Sequence, residues 1–141
     1  LPESNAACWY LADGSNLIPS DRLTKAEMLR WMFFEQYSHE PNIATMRFWL
    51  KIVGEDRLSA EQRSLIAGKR KAGRAALALM DDHLAGRKWF VGEQASLADI
   101  VLYAYTHVAD EGGFALEAYR NIDRWLDRVS ALSGYIAMDS P

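Results

Sequence analysis

Few residues in this chain carry groups able to do covalent or coordination chemistry, and the spacing of each limits what it can do. Cys8 is the one cysteine. It lies in the apolar run Ala6-Ala7-Cys8-Trp9-Tyr10 with no adjacent base or cation to stabilise a thiolate, so an inert buried thiol is expected. Asp81-Asp82-His83 offers metal-type donors, but residues one and two apart on a helix point in different directions. No metal site is expected there, and His83 reads as an interfacial or core-edge histidine. His107 follows Tyr103 by one helical turn, with Asp110 and Glu111 just beyond, so it either lines a pocket or sits satisfied in the core. Ser4, in Glu3-Ser4-Asn5-Ala6, stands at a helix start. There a hydroxyl, free backbone amides and the helix dipole favour an anion, unless the hydroxyl simply caps the helix. The sequence holds no P-loop, no glycine-rich dinucleotide turn and no His-Glu-x-x-His pattern. No self-contained catalytic set emerges.

The elements that would carry these residues are helical. Ser96 and Asp99 have the spacing of a capping box, followed by Ile100 to Ala109 with almost no polar face. A helix apolar all round is expected to be central and wrapped on every side. Replacing Asp99 by Ala is expected to cost roughly 1 to 2 kcal/mol for the lost box. A second box, Thr24 with Glu27, predicts a long helical segment from Lys25 to about Val53, kinked or broken at Pro41 and closed by Gly54. A third, Ser59 with Gln62, predicts a helix to about Leu84 with Leu65, Ile66, Ala72, Ala76, Leu77, Leu79, Met80 and Leu84 inward. Its Lys69, Arg70, Lys71 and Arg74 read as a solvated face. Gly68 and Gly73 weaken that helix unless another element approaches closely there. A first helix spans about Glu3 to Ala12, a short turn about Ala115 to Tyr119, and a last helix about Ile122 to Leu132. Only Lys88-Trp89-Phe90-Val91 could be briefly extended. The expected fold is all-α, a helical bundle around one buried central helix.

At 141 residues one domain is expected, half hydrophobic and a quarter charged. The five Trp need a core or an interface to cover them. The net charge of −3 argues against nucleic acid as a partner. No run reaches membrane-spanning length and no signal-peptide pattern is present, so no membrane role and a cytoplasmic location are expected. The chain begins with Leu1, which fits a processed start or a piece of a longer protein.

Several stretches, in order, resemble the glutathione S-transferase family. Glu3-Ser4-Asn5-Ala6 with Trp9-Tyr10-Leu11-Ala12 is similar to the helix that ends the family's thioredoxin-like domain. Trp31-Met32-Phe33-Phe34-Glu35-Gln36-Tyr37 resembles its first long helix, and Trp89-Phe90-Val91-Gly92-Glu93 the approach to its central helix. Ser96-Leu97-Ala98-Asp99-Ile100 matches its capping box. Tyr119-Arg120-Asn121-Ile122 with Trp125 and Arg128 is similar to its final helices. The pattern departs from the family at Arg120 and Ser133, where Pro is common, so looser helix ends are expected.

The resemblance implies that residues 1–14 are the remnant of a thioredoxin-like domain and residues 15–141 the all-helical C-terminal domain. The thiol-activating residue would lie in the missing domain, so this chain is expected to hold no catalytic residue and to be inactive alone. Ser4 would meet the γ-glutamyl carboxylate of glutathione and Glu3 its α-amino group, with weak or no binding here. A hydrophobic electrophile would meet Phe34, Tyr37, Ser38, Pro41, Tyr103 and His107, while Ser96 and Asp99 are structural. A homodimer is implied, using the aromatic helix and the first one; core packing alone is the other explanation for those aromatics. The alternative function is a non-catalytic helical interaction or assembly module.

Overall fold

A computed structural model describes residues 1–138, all of whose regular elements are helical. Helix α1 spans Ser4–Leu11 and α2 spans Arg22–Phe34. A π-helical turn, Glu35–His39, leads into α3 at Glu40–Arg47, and a second, Phe48–Gly54, ends the segment. The long helix α4 covers Ala60–Leu84, α5 covers Leu97–Thr106 and α6 covers Arg120–Ser130. The extended segment expected at residues 88–91 is irregular coil.

The second capping box is not the one expected. Asp21 caps α2, accepting from the Thr24 amide at 2.8 Å and its hydroxyl at 2.9 Å. The helix therefore starts before Thr24, and Glu27 instead pairs with Arg30 on the surface. Pro41 does not break the segment. The π-helical turn before it absorbs the missing amide, and the Asn42 carboxamide donates to the Ser38 carbonyl at 2.7 Å. Gly54, at φ 92°, ends the run where a side chain would be strained.

The third box forms as expected: the Gln62 amide donates to Ser59 Oγ at 3.1 Å and the Ser59 amide to Gln62 Oε1 at 2.8 Å. Along α4 the inward stripe is Gly73, Ala76, Leu77, Met80 and Leu84, whereas Leu65, Ala72 and Leu79 face outward. The period drawn from sequence was too wide. A Cβ on Gly73 would lie 2.5 Å from the Phe114 ring, so this glycine admits a close approach; Gly68 has open space around it.

The core gathers Met28, Trp31, Ile43, Met46, Leu77, Met80, Phe90, Leu102, Ile122 and Trp125. Three Trp are buried; Trp9 and Trp89 are half-buried, as is Cys8. Helix α5 is central but not wrapped all round. Leu97, Ala98, Asp99, Val101, Leu102 and Thr106 are buried. Ile100, Tyr103, Ala104 and His107, spaced at i, i+3, i+4 and i+7, are partly open to solvent. The start of α6 is not loose: Asp81 of α4 accepts from the Asn121 and Ile122 amides at 2.7 and 2.9 Å. Asp81 is thus a helix cap. No group of metal-ligating side chains occurs among the described residues, and no helix is long and apolar enough to cross a membrane.

Candidate functional site

The start of α1 is unusual in its backbone. Glu3 precedes the helix at φ 68° and ψ 109°, the one non-glycine residue at positive φ among the described residues. Such a conformation costs on the order of 1 kcal/mol or more and persists only where surrounding structure holds it. Its carbonyl accepts from the Ala7 amide at 3.0 Å, but its side chain caps nothing. Ser4 is the first residue of the helix and, like Glu3, is exposed. The first-turn amides of α1 therefore have no side-chain cap, and Ser4 adds a hydroxyl beside them. Asn5, next along, ties this turn to the core: Nδ2 donates to the Met32 carbonyl at 3.1 Å and to Glu35 Oε2 at 3.0 Å. Gln36 Nε2 donates to the same carboxylate oxygen at 2.7 Å. Burial holds the Glu35 carboxyl above the usual range, against those two amide hydrogen bonds, with Glu40 adding to the rise. Glu3, Asn5, Trp9, Met32, Phe33 and Gln36 line an apolar groove of about 430 Å³ between α1 and α2.

The six residues expected at an electrophile pocket do not line one cleft. Phe34, Tyr37 and Ser38 share a depression with Asn42, Ala76 and Leu79 on the α4 side. His107 lines a different one, about 780 Å³, with Asp110, Glu117, Arg120 and Arg124. There its ring stacks on Tyr103 at 4.6 Å and its Nδ1 donates to the Tyr103 carbonyl at 2.9 Å. It is half-buried, borders this cleft and has its Nδ1 satisfied by the backbone one turn back, so it shows features of both readings its spacing allowed. The Tyr103 hydroxyl is taken by Tyr135 at 2.8 Å. Pro41 borders neither depression, and its carbonyl accepts from Lys69 Nζ at 2.6 Å. A third hollow of about 350 Å³ escaped the sequence reading: Glu40, Ala44, Thr45, Phe48, Ile52 and Tyr105 line it. Gln36, Glu40, Ala44, Phe48 and Ile52 succeed one another at roughly one-turn steps along one helical segment. That row leads from the groove beside Glu3 to this hollow. The signal for it was present, since Phe48 and Ile52 are large apolar residues one turn apart, and both are more than half exposed.

The profile of the family described as glutathione S-transferase, C-terminal domain, matches residues 31–133. The chain belongs to that family. A crystal structure of a glutathione S-transferase from Pseudomonas fluorescens Pf-5 superimposes with a TM-score of 0.90 at 46% identity, over 99% of this chain and 68% of that one. A glutathione transferase from Burkholderia graminis, with two glutathione molecules bound per subunit, gives 0.80 at 27% identity, over 94% of this chain and 56% of that one. Elongation factor 1-gamma from Artemia salina is 35% identical over 130 residues, covering 89% of this chain and 28% of its own length. The chain spans about a quarter to two thirds of the length of the curated relatives it matches.

In this glutathione S-transferase C-terminal domain, the polar groups around α5 serve the fold. Asp99 is fully buried. Its Oδ1 accepts from the Phe90 amide and from Trp125 Nε1, both at 3.0 Å; its Oδ2 accepts from the Ser96 amide at 2.9 Å and hydroxyl at 3.0 Å. The capping box is formed, and the same carboxylate also binds α6 and the loop before α5. Burial raises the Asp99 carboxyl above its usual range, against these hydrogen bonds. Behind α5, Thr106 Oγ1 donates to the Leu102 carbonyl at 2.6 Å, so His39 Nε2, 2.9 Å from that hydroxyl oxygen, must donate to it. His39 Nδ1 is left buried without a partner, and burial lowers the imidazole to about 4.

Proposed function

We propose that this chain is the helical part of a glutathione transferase, in which residues 1–14 end a thioredoxin-like domain and residues 15–141 hold the second substrate. The observation that carries the reading is the start of α1. Glu3, held at positive φ, lines a groove, and the uncapped amides and the Ser4 hydroxyl follow directly after it in the chain. An uncapped helix start with a hydroxyl suits a carboxylate, and an exposed Glu side chain suits an ammonium group. Glutathione offers both on its γ-glutamyl end. Tyr10 and Leu11, 72% and 80% exposed, present an apolar side of α1 that the rest of a thioredoxin-like domain would cover.

The electrophile is best placed in the hollow of Ala44, Thr45, Phe48, Ile52 and Tyr105, which the row through Gln36 and Glu40 joins to the glutathione end. Phe34, Tyr37 and Ser38, with Leu79, then belong to a face for a second copy of the protein. In this mechanism the chain orients and desolvates the electrophile, while the thioredoxin-like domain supplies the group that stabilises the thiolate. The chain alone binds glutathione weakly or not at all and does not catalyse conjugation.

The likeness to elongation factor 1-gamma favours a second reading, a non-catalytic assembly module. One experiment separates them. Full-length protein is assayed for conjugation of glutathione to an aryl halide and titrated with glutathione by calorimetry, beside residues 1–141 alone. The transferase reading expects micromolar to millimolar binding and turnover only in the full-length protein. Absence of both from the full-length protein would overturn it in favour of the module.

A further inference from the structure

We propose that Glu35 is a positioning residue for the glutathione anchor, acting through Asn5; this rests on the function proposed above. Helix α1 rests on the core through the half-buried Cys8 and Trp9 of its second turn, while the first turn, Ser4 to Ala6, places no large apolar side chain there. The Asn5 carboxamide ties that first turn to the neighbouring helix, with Nδ2 bonded to both the Met32 carbonyl and Glu35 Oε2. Asn5 directly follows Ser4 and stands two residues from Glu3, whose positive φ must be imposed from outside. Glu35 is only 2% exposed, and no salt bridge pairs it with a cation among the described residues. Its described donors are the amides of Asn5 and Gln36 alone. A buried carboxylate without a cation is costly. It also opens the π-helical turn Glu35–His39, an irregularity of a kind that recurs at functional sites. Gln36, its second partner, lines the same groove as Glu3 and Asn5. The carboxylate thus holds two residues of the groove from beneath while touching no substrate itself.

The test uses the full-length protein and reads glutathione binding by calorimetry and hydrogen exchange at the α1 amides from Ala7 to Leu11. Glu35→Leu removes the acceptor at similar volume, and should weaken glutathione about tenfold and speed exchange in α1 while leaving Leu97 to Thr106 protected. Glu35→Gln keeps an oxygen that accepts from Asn5 and should restore binding to within about threefold. Asn5→Ala, a safer substitution for folding, should reproduce the Leu phenotype, and adding Glu35→Leu to it should weaken binding no further. The proposal is overturned if Glu35→Leu and Asn5→Ala bind glutathione normally. It also fails if Glu35→Gln is as damaging as Glu35→Leu, if the double variant is additive, or if exchange rises equally in α5. Absence of glutathione binding by the unmodified protein would instead sink the function proposed above, with the exchange result still deciding whether Asn5 and Glu35 hold α1.

Discussion

Ser4 and Ser96 each stand at the start of a helix, and the two starts are built in opposite ways. At α5 the start is buried and bonded: the Asp99 carboxylate accepts from the Ser96 amide and hydroxyl, and the same carboxylate binds the Phe90 amide and Trp125 Nε1. At α1 the turn is exposed, uncapped by a side chain, and entered through a residue at positive φ. One start spends its polar groups on the fold. The other leaves them exposed, as the proposed glutathione anchor requires, with Asn5 of the same turn bonded to Glu35. A serine at a helix start therefore does not itself mark a site; whether its neighbours are already satisfied decides it.

That contrast can be broken by mutation, and the largest effect is expected at α5. Asp99→Ala should lower stability by about 3 to 5 kcal/mol, more than a capping box alone accounts for, because it strands buried donors on three elements. Chemical denaturation checks this; a loss under about 1 kcal/mol would mean that the carboxylate does not join α6 to α5.

Next in size is the acid response of the buried side of α5. The folded state holds His39 at about 4, against an ordinary value of 6.5, so the neutral imidazole is the form the fold tolerates. Its contribution is complete above the unfolded value and is lost as pH falls from there toward the folded one. The loss totals about 3 kcal/mol, with a slope no steeper than about 1.4 kcal/mol per pH unit. Denaturation midpoints between those two pH values should fall in the natural protein and stay flatter in His39→Gln. Parallel curves would place the titrating group elsewhere.

The α1 start should behave in the reverse sense. Glu3→Gly relieves the positive φ and should raise stability by about 1 kcal/mol while weakening glutathione in the full-length protein. A loss of stability would show that Glu3 serves the fold. The smallest effect is expected for Ser4→Ala, within about 0.5 kcal/mol by denaturation, since its hydroxyl caps nothing. A cost near that of a lost cap, about 1 kcal/mol, would make the two helix starts alike after all.

Much of this contrast can be traced to what lies within one turn of sequence. The boxes at Ser59 and Ser96, the stop at Gly54 and the apolar character of α5 were legible because each depends on residues a few positions apart, whose interaction survives in any helix. Where local signals competed, the reading failed. Thr24 was expected to open the helix and Asp21 was expected in the loop before it, yet the cap is Asp21, whose carboxylate accepts from both the amide and the hydroxyl of Thr24. The outward turn of Leu65 and Leu79 was likewise invisible, since a helix shows its apolar period but not which edge of the stripe its neighbours cover.

The sequence by itself determined that the chain is helical, where most helices begin, and, through the spacing of Glu3-Ser4 and Ser96-x-x-Asp99, which family it resembles. Only the tertiary structure decided what the polar residues do. Asp81 caps α6 forty residues away, Asp99 reaches Trp125, Asn5 reaches Glu35, and Gly73 makes room for Phe114. Tertiary structure also separated Phe34, Tyr37 and Ser38 from His107 and brought Phe48, Ile52 and Tyr105 together. The physical reason is that a hydrogen bond within a turn follows from backbone geometry. One made across many residues exists only after packing has brought its partners together, and no spacing along the chain encodes that distance.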